Sequence, residues 1–217
     1  KGIGYADTFN WSGALKYAAI AKDERLVKLL QNKFDSLFTT KKNILPKKTH
    51  VDWNMFGSLC LELYKITKDK RYLDLGISYA DTQWELPVNA KAKEKEWDAK
   101  GYSWQTRLWI DDMYMITIVQ TQAYKVTGDR KYLDMAKYFV EETGRGTDGH
   151  RLNAYSQDHM PILQQEEIVG HADRAGYLYS GVADVAALTK DTAYFHAICR
   201  IWDNMAKKKP HITGGNG

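Results

Sequence analysis

The stretch Tyr64-Lys65-Ile66-Thr67-Lys68-Asp69-Lys70-Arg71-Tyr72-Leu73-Asp74 returns 60 residues later as Tyr124-Lys125-Val126-Thr127-Gly128-Asp129-Arg130-Lys131-Tyr132-Leu133-Asp134. Shorter forms of the same break occur at Ala21-Lys22-Asp23 and Thr189-Lys190-Asp191. Each lies between two apolar runs, with an Asp where the second run begins. An Asp at that position can accept hydrogen bonds from the first free backbone amides of a helix, and its charge suits that end. Tyr72, Tyr132 and Tyr194 follow on the first turn beside Leu73, Leu133 and Phe195, and the apolar stripe continues at helical spacing. The repeat therefore predicts helical hairpins joined by turns of roughly two to four residues.

Extended along the chain, the pattern predicts eight helices, near 11–20, 23–38, 52–66, 69–85, 110–126, 129–142, 166–189 and 191–208. Strand signals are almost absent, so the expected class is all-α. The Asp breaks are 46, 60 and 62 residues apart, longer than the roughly 34 to 47 residues of common helical solenoid repeats. The extra length falls in Leu86 to Arg107 and Thr143 to Ile162, and long connections on a rigid scaffold are where binding chemistry is usually built.

A chain of 217 residues, 44% of them hydrophobic, can bury a proper core and fits one domain, 1–217, better than two. The net charge of +4 comes from lysines scattered through helical segments. Nucleic acid binding usually needs a concentrated basic footprint, so it is not expected. Cys60 and Cys199 are far apart inside apolar helical patterns, without the spacing of a zinc site or redox dithiol, so both are expected to be buried free thiols, Cys60 as core between Leu59 and Leu61. The six histidines show no ligand spacing, so no metal or cofactor is expected. Gly214-Gly215-Asn216-Gly217 does not open a helix and cannot be read as a phosphate cradle. No apolar run reaches the roughly 18 residues of a membrane span, and no signal-like segment follows Lys1. The expected compartment is the bacterial periplasm or cytoplasm.

In alternating hairpins, the connections entering one helix of each pair converge on one face. Four such entrances read Asp7-Thr8-Phe9-Asn10-Trp11, His50-Val51-Asp52-Trp53-Asn54, Trp104-Gln105-Thr106-Arg107-Leu108-Trp109-Ile110-Asp111-Asp112 and Gln164-Gln165-Glu166-Glu167-Ile168-Val169-Gly170-His171. Each carries an acid and three carry a Trp. Sugar chemistry needs both: a carboxyl group to move a proton at a glycosidic or vinyl ether oxygen, and flat aromatic faces for the ring. The competing assignment for each acid is a helix cap. Asp52 and Asp111 recur at equivalent places near Trp. Asp111 and Asp112 diverge by about 100° on a helix and cannot share one proton. Arg107, one turn earlier, can hold Asp111 ionised, bind a substrate carboxylate, or form an ordinary salt bridge. His171, beside Gly170, is a candidate ligand contact.

The segment Gly101-Tyr102-Ser103-Trp104-Gln105-Thr106-Arg107-Leu108-Trp109-Ile110-Asp111-Asp112-Met113-Tyr114-Met115, with His50-Val51-Asp52, resembles the unsaturated rhamnogalacturonyl and glucuronyl hydrolases, glycoside hydrolase families 105 and 88. That resemblance covers roughly residues 5 to 142. It implies that Asp111 acts as general acid and base on the double bond of an unsaturated uronic acid, with Asp52 as the second carboxylate. Tyr155-Ser156-Gln157-Asp158-His159-Met160-Pro161, Glu166, Val169-Gly170-His171-Ala172 and Ile212-Thr213-Gly214-Gly215 resemble instead the β-L-arabinofuranosidases of family 127, over residues 151 to 217. In that family a Glu and a zinc-held Cys cluster, following the Thr-Gly-Gly motif, do the chemistry. Both resemblances imply a toroid of helical hairpins, an (α/α)6 barrel of which four hairpins make an incomplete or shortened form.

Three functions follow as expectations. The first is a hydrolase of unsaturated uronic-acid oligosaccharides, with Asp111 and Asp52 catalytic and Trp53, Trp104, Arg107, Trp109, Asp112, Glu166 and His171 binding substrate. The second is an arabinofuranosidase-like glycosidase. The third is a non-catalytic sugar-binding or structural helical scaffold whose acids are caps and whose Trp residues are packing. An open array would expose apolar edges, which favours a homodimer.

Overall fold

A computed structural model of the chain describes residues 2–146 and 152–209. The Ile212-Thr213-Gly214-Gly215 motif and the terminal glycines lie outside the described residues. Among the described residues the structure is helical and holds no strand: α1 (Tyr5–Ile20), α2 (Glu24–Asp35), α3 (Val51–Asn54), α4 (Phe56–Thr67), α5 (Lys70–Thr82), α6 (Ala92–Ala99), α7 (Ile110–Thr127), α8 (Arg130–Glu142), α9 (Ala172–Thr189) and α10 (Thr192–Lys208). The chain divides into two compact units, Lys1–Thr106 with Gln122–Gly128, and Arg107–Thr121 with Asp129–Gly217.

All four Asp breaks are N-caps. Asp23 accepts from the amide of Leu26 at 2.9 Å, Asp69 from Arg71 at 2.9 Å, Asp129 from Lys131 at 3.0 Å, and Asp191 from Ala193 at 2.9 Å and Tyr194 at 3.2 Å. The residue before each cap is left-handed: Lys22 (φ 54°), Lys68 (φ 60°), Gly128 (φ 73°) and Lys190 (φ 56°). One left-handed residue ends the first helix and the next residue caps the second, so the turn is as short as the repeat predicts.

The first unit is centred on Phe34, which stacks on Phe56 at 5.5 Å and meets Tyr72 and Trp11 edge-on at 5.3 and 5.7 Å. Leu15, Leu59, Cys60 and Leu63 complete this fully buried core. Burial pushes the Cys60 thiol well above its usual range, as expected of packing, whereas Cys199, also expected to be buried, is exposed on α10. Helices α4 and α5 pack closely because Gly76 faces Leu61, where an added Cβ would fall 2.6 Å from the leucine side chain. In the second unit α8, α9 and α10 bury Ala136, Val140, Leu178, Val182, Val185 and Ile201 together. Gly181 of α9 lies against Thr117 of α7 by the same device, its absent Cβ 2.6 Å from the threonine hydroxyl.

The structure corrects several expected boundaries. α1 begins at Tyr5 because the Asp7 carboxylate accepts the Gly4 amide at 3.0 Å and so satisfies a backbone donor at the helix start. The helix expected over 52–66 is divided at Met55. The connection after Leu86 contains a helix, α6, whose Ala, Lys and Glu residues favour that state. Glu94 caps it through the Lys91 amide at 2.7 Å, and Trp97 is buried beneath Lys93 and Lys100 at 4.8 and 5.2 Å. The helix expected from 166 begins at Ala172, because residues 157–171 are held by buried glutamine amides. No helix among the described residues is long and apolar enough to cross a membrane.

If cap and left-handed residue set the turns, Asp191→Ala lowers unfolding free energy by about 1 kcal/mol, since two amides lose their acceptor. Lys190→Gly raises it by up to about 1 kcal/mol, since glycine is unstrained at positive φ. Urea unfolding of the two variants measures both signs.

Candidate functional site

The entrance to α7 is built by an ion pair. The Asp112 carboxylate is wholly buried and accepts the backbone amide of Arg107 at 2.6 Å and its Nε at 3.1 Å, with Nη2 on the same oxygen as Nε. Leu108, left-handed at φ 59°, lets the chain curl back so that residue 107 reaches residue 112. Arg107 thus pairs with Asp112, five residues on, instead of with Asp111 one turn away. The curl leaves Trp109 half exposed, with the Arg107 guanidinium 4.4 Å from its ring centre.

Asp111 faces the start of α9. Arg174 Nε lies 3.7 Å from its Oδ2, and the same guanidinium lies 5.7 Å from the Trp109 ring and 5.3 Å from the Tyr155 ring. Tyr155 meets His171 edge-on at 5.8 Å, and the His171 amide donates to the Tyr155 carbonyl at 3.2 Å. The His171 Nδ1 is buried and has no hydrogen-bond partner. Five side chains from three segments therefore meet: Trp109 and Asp111, Tyr155, and His171 and Arg174.

Two buried amides hold this arrangement. Gln157 Nε2 donates to the carbonyls of Tyr155 at 2.9 Å, Val169 at 2.7 Å and His171 at 3.3 Å. Gln165 Nε2 donates to Gln157 and Met160, and its carbonyl accepts the Tyr179 hydroxyl. Gly170 (φ 77°) is required where the strands of the loop cross, because a Cβ there would lie 2.2 Å from the Ala154 carbonyl oxygen.

The other expected site residues have different surroundings. Trp104 is buried, its indole N–H donating to the Thr82 carbonyl at 2.8 Å, which leaves no face for a sugar. Asp112 is likewise enclosed and acts as the local clamp. The Glu166 side chain is 78% exposed and lies 3.4 Å from Arg200. Asp52 and Trp53 belong to the first unit. The His50 Nδ1 accepts the Asp52 amide at 3.2 Å, and the Asp52 carboxylate lies 3.6 Å from the same nitrogen. Trp53 is 42% exposed beside His50.

Arg174 and Tyr155 were not singled out as site residues. Arg174 follows His171 by three residues, which on a helix puts both on one side of the first turn. No group of three or more His, Cys, Asp or Glu side chains that could hold a metal occurs among the described residues. The zinc-binding cysteines that the family 127 resemblance implies therefore have no counterpart in this cluster, and no step is assigned through them.

The all-helical hairpin architecture is that of the helical-toroid class. Residues 98–217 match the β-L-arabinofuranosidase catalytic domain of glycoside hydrolase family 127, and the chain belongs to that family. A non-reducing end β-L-arabinofuranosidase of Bifidobacterium longum subsp. longum is 27% identical over 120 residues, covering 47% of this chain and 18% of that protein. A solved family 127 β-arabinofuranosidase superposes on 100% of this chain and 36% of its own, with 29% identity and a TM-score of 0.67. A family 76 mannosidase of Bacteroides thetaiotaomicron VPI-5482 shares the fold alone, at 14% identity and a TM-score of 0.62, over 94% of this chain and 58% of its own. The chain spans well under half the length of the family 127 relatives. The matched residues include Gly101 to Met115, so the family 127 resemblance read from 151–217 extends back across the segment that suggested a uronyl hydrolase.

Arg107→Ala leaves the buried Asp112 charge without its guanidinium and should lower stability by about 3 kcal/mol or more, read by urea unfolding. On α7, burial, with smaller contributions from the charges of Asp184 and Tyr177, pushes the Tyr114 phenol up to about 12. The neutral phenol is favoured in the folded state, so its contribution is intact below pH ~10, the value of a free tyrosine. It is lost as pH rises from there toward 12. An ultraviolet tyrosine titration should show a group of late-ionising phenols, with Tyr72, Tyr79, Tyr179 and Tyr194 also pushed up by burial, and Tyr114→Phe should lower the amplitude of that late phase by one phenol.

Proposed function

We propose that the cluster of Trp109, Asp111, Tyr155, His171 and Arg174 is the sugar-holding face of a β-L-arabinofuranosidase. The observation that carries this reading is the charge pairing. Arg107 is committed to Asp112 and Arg174 faces Asp111, so the two cations are matched by two carboxylates. A site for a uronic acid needs a cation left over for the substrate carboxylate, whereas a neutral pentose needs acceptors, donors and a flat face. Trp109 and Tyr155, each about half exposed, supply the faces. The Asp111 carboxylate accepts sugar hydroxyls, and the buried His171 nitrogen supplies a polar contact that the protein itself leaves unused.

A carboxylate held beside a guanidinium suits hydrogen-bond acceptance better than proton donation. We therefore assign Asp111 to orientation of the sugar, and Asp52 with Trp53 to a further sugar contact on the first unit. The Glu and the zinc-held cysteines that the family resemblance places after the Thr-Gly-Gly motif would supply the bond-breaking chemistry. The side chains described here bind and orient.

Titration of the chain with methyl β-L-arabinofuranoside, followed by tryptophan fluorescence, tests this. His171→Ala and Asp111→Asn should each weaken binding at least about tenfold, equivalent to ~1.4 kcal/mol, with unfolding curves unchanged. Bleaching of the double bond of an unsaturated uronide, abolished in Asp111→Asn, would instead restore the uronyl-hydrolase reading. A folded chain that neither binds the furanoside nor bleaches the uronide is a structural scaffold.

A further inference from the structure

The entrance Asp7-Thr8-Phe9-Asn10-Trp11 takes no part in the cluster above, yet it borders a cavity of about 540 Å³ within the first unit. That volume lies in the range of small-molecule sites, roughly 300 to 1,000 Å³. The N-terminal half of α1, the C-terminal half of α2 and the following turns form its walls. Asn10, Trp11, Lys33, Ser36 and Lys41 bring polar groups to it. Leu30 and Ile44 give it an apolar side.

Three features point to an anionic sugar. The Trp11 indole N–H is buried and has no acceptor in the protein, so a donor is left for a ligand to satisfy. Lys33 and Lys41 outnumber the single acid, Asp7, and the Asp7 carboxylate already accepts the Gly4 amide. The Ser36 hydroxyl donates to the Lys33 carbonyl at 2.7 Å, which leaves its oxygen to accept from a ligand hydroxyl. Lys33 also lies 5.0 Å from the Trp11 ring centre, which holds its ammonium at the cavity wall.

We infer that this cavity binds a uronate-bearing mono- or disaccharide, with the carboxylate between Lys33 and Lys41, a ring or carboxylate oxygen on the Trp11 N–H, and hydroxyls on Asn10 and Ser36. The site is separate from the neutral-sugar cluster and carries the opposite charge preference. It gives the protein a means of staying on an acidic polysaccharide while neutral side-chain sugars are handled elsewhere.

The probe is galacturonic acid, with galactose as the neutral control, titrated into isotopically labelled chain and followed by NMR. Galacturonic acid should shift amide signals of α1 and α2 saturably, weaken with added salt, and bind at least fivefold better than galactose. Trp11→Phe, which keeps the ring and removes the N–H, and Lys33→Gln with Lys41→Gln should each weaken it fivefold or more in chains whose spectra remain dispersed. Asp111→Asn should leave it unchanged, so this site and the proposed furanoside site fail separately. Equal binding of the two sugars, indifference to the lysine replacements, or no shift in α1 and α2 would overturn the inference.

Discussion

The paired turn residues carry the architecture. At every hairpin break one residue accepts a left-handed backbone and the next, an Asp, takes up the first amides of the following helix. Both constraints are local, and together they fix the angle at which each helix leaves the one before it. Close approach through Gly76 and Gly181, and the aromatic nucleus around Phe34, build on that angle. A longer turn would change the direction in which the second helix leaves and the face it presents to its partner.

The site uses a second local constraint. A buried carboxylate normally needs full compensation, and Asp112 obtains it from a residue five positions back, across a left-handed Leu108. The pairing is structural, yet it decides the chemistry at the surface. It engages the Arg107 guanidinium within the protein and leaves Trp109 half exposed beside Arg174, which faces Asp111. On the proposed reading, a carboxylate enclosed by the protein thereby sets the charge preference of the furanoside site.

How much was legible in the sequence follows from the range of the interactions. The hairpins were legible because Asp caps and apolar stripes act within a few residues, and Tyr72, Tyr132 and Tyr194 repeat the same register. Helix α6 was missed because its Lys and Glu residues read as a solvated connection, while a single residue, Trp97, ties it down. Trp beside acids suggests stacking on a sugar, whereas the Trp104 indole is fixed by a carbonyl 22 residues away at Thr82, a partner that no local pattern announces. His171 and Asp111 were marked individually, but their meeting through Tyr155 and Arg174 is tertiary. Only the three-residue step from His171 to Arg174 hinted at it.

The Gln157 side chain has a further consequence. One buried amide nitrogen faces three carbonyl oxygens, and its own carbonyl oxygen has no donor. The loop that carries Tyr155 and His171 therefore rests on the identity of a single terminal atom. Hydrolysis of that amide to a carboxylate, the commonest slow chemical damage to such side chains, would change almost no volume but would turn three attractions into three repulsions. The rim of the site is thus shielded from ageing chiefly by keeping water away from this one amide, and its burial protects the shape of the site over the lifetime of the molecule.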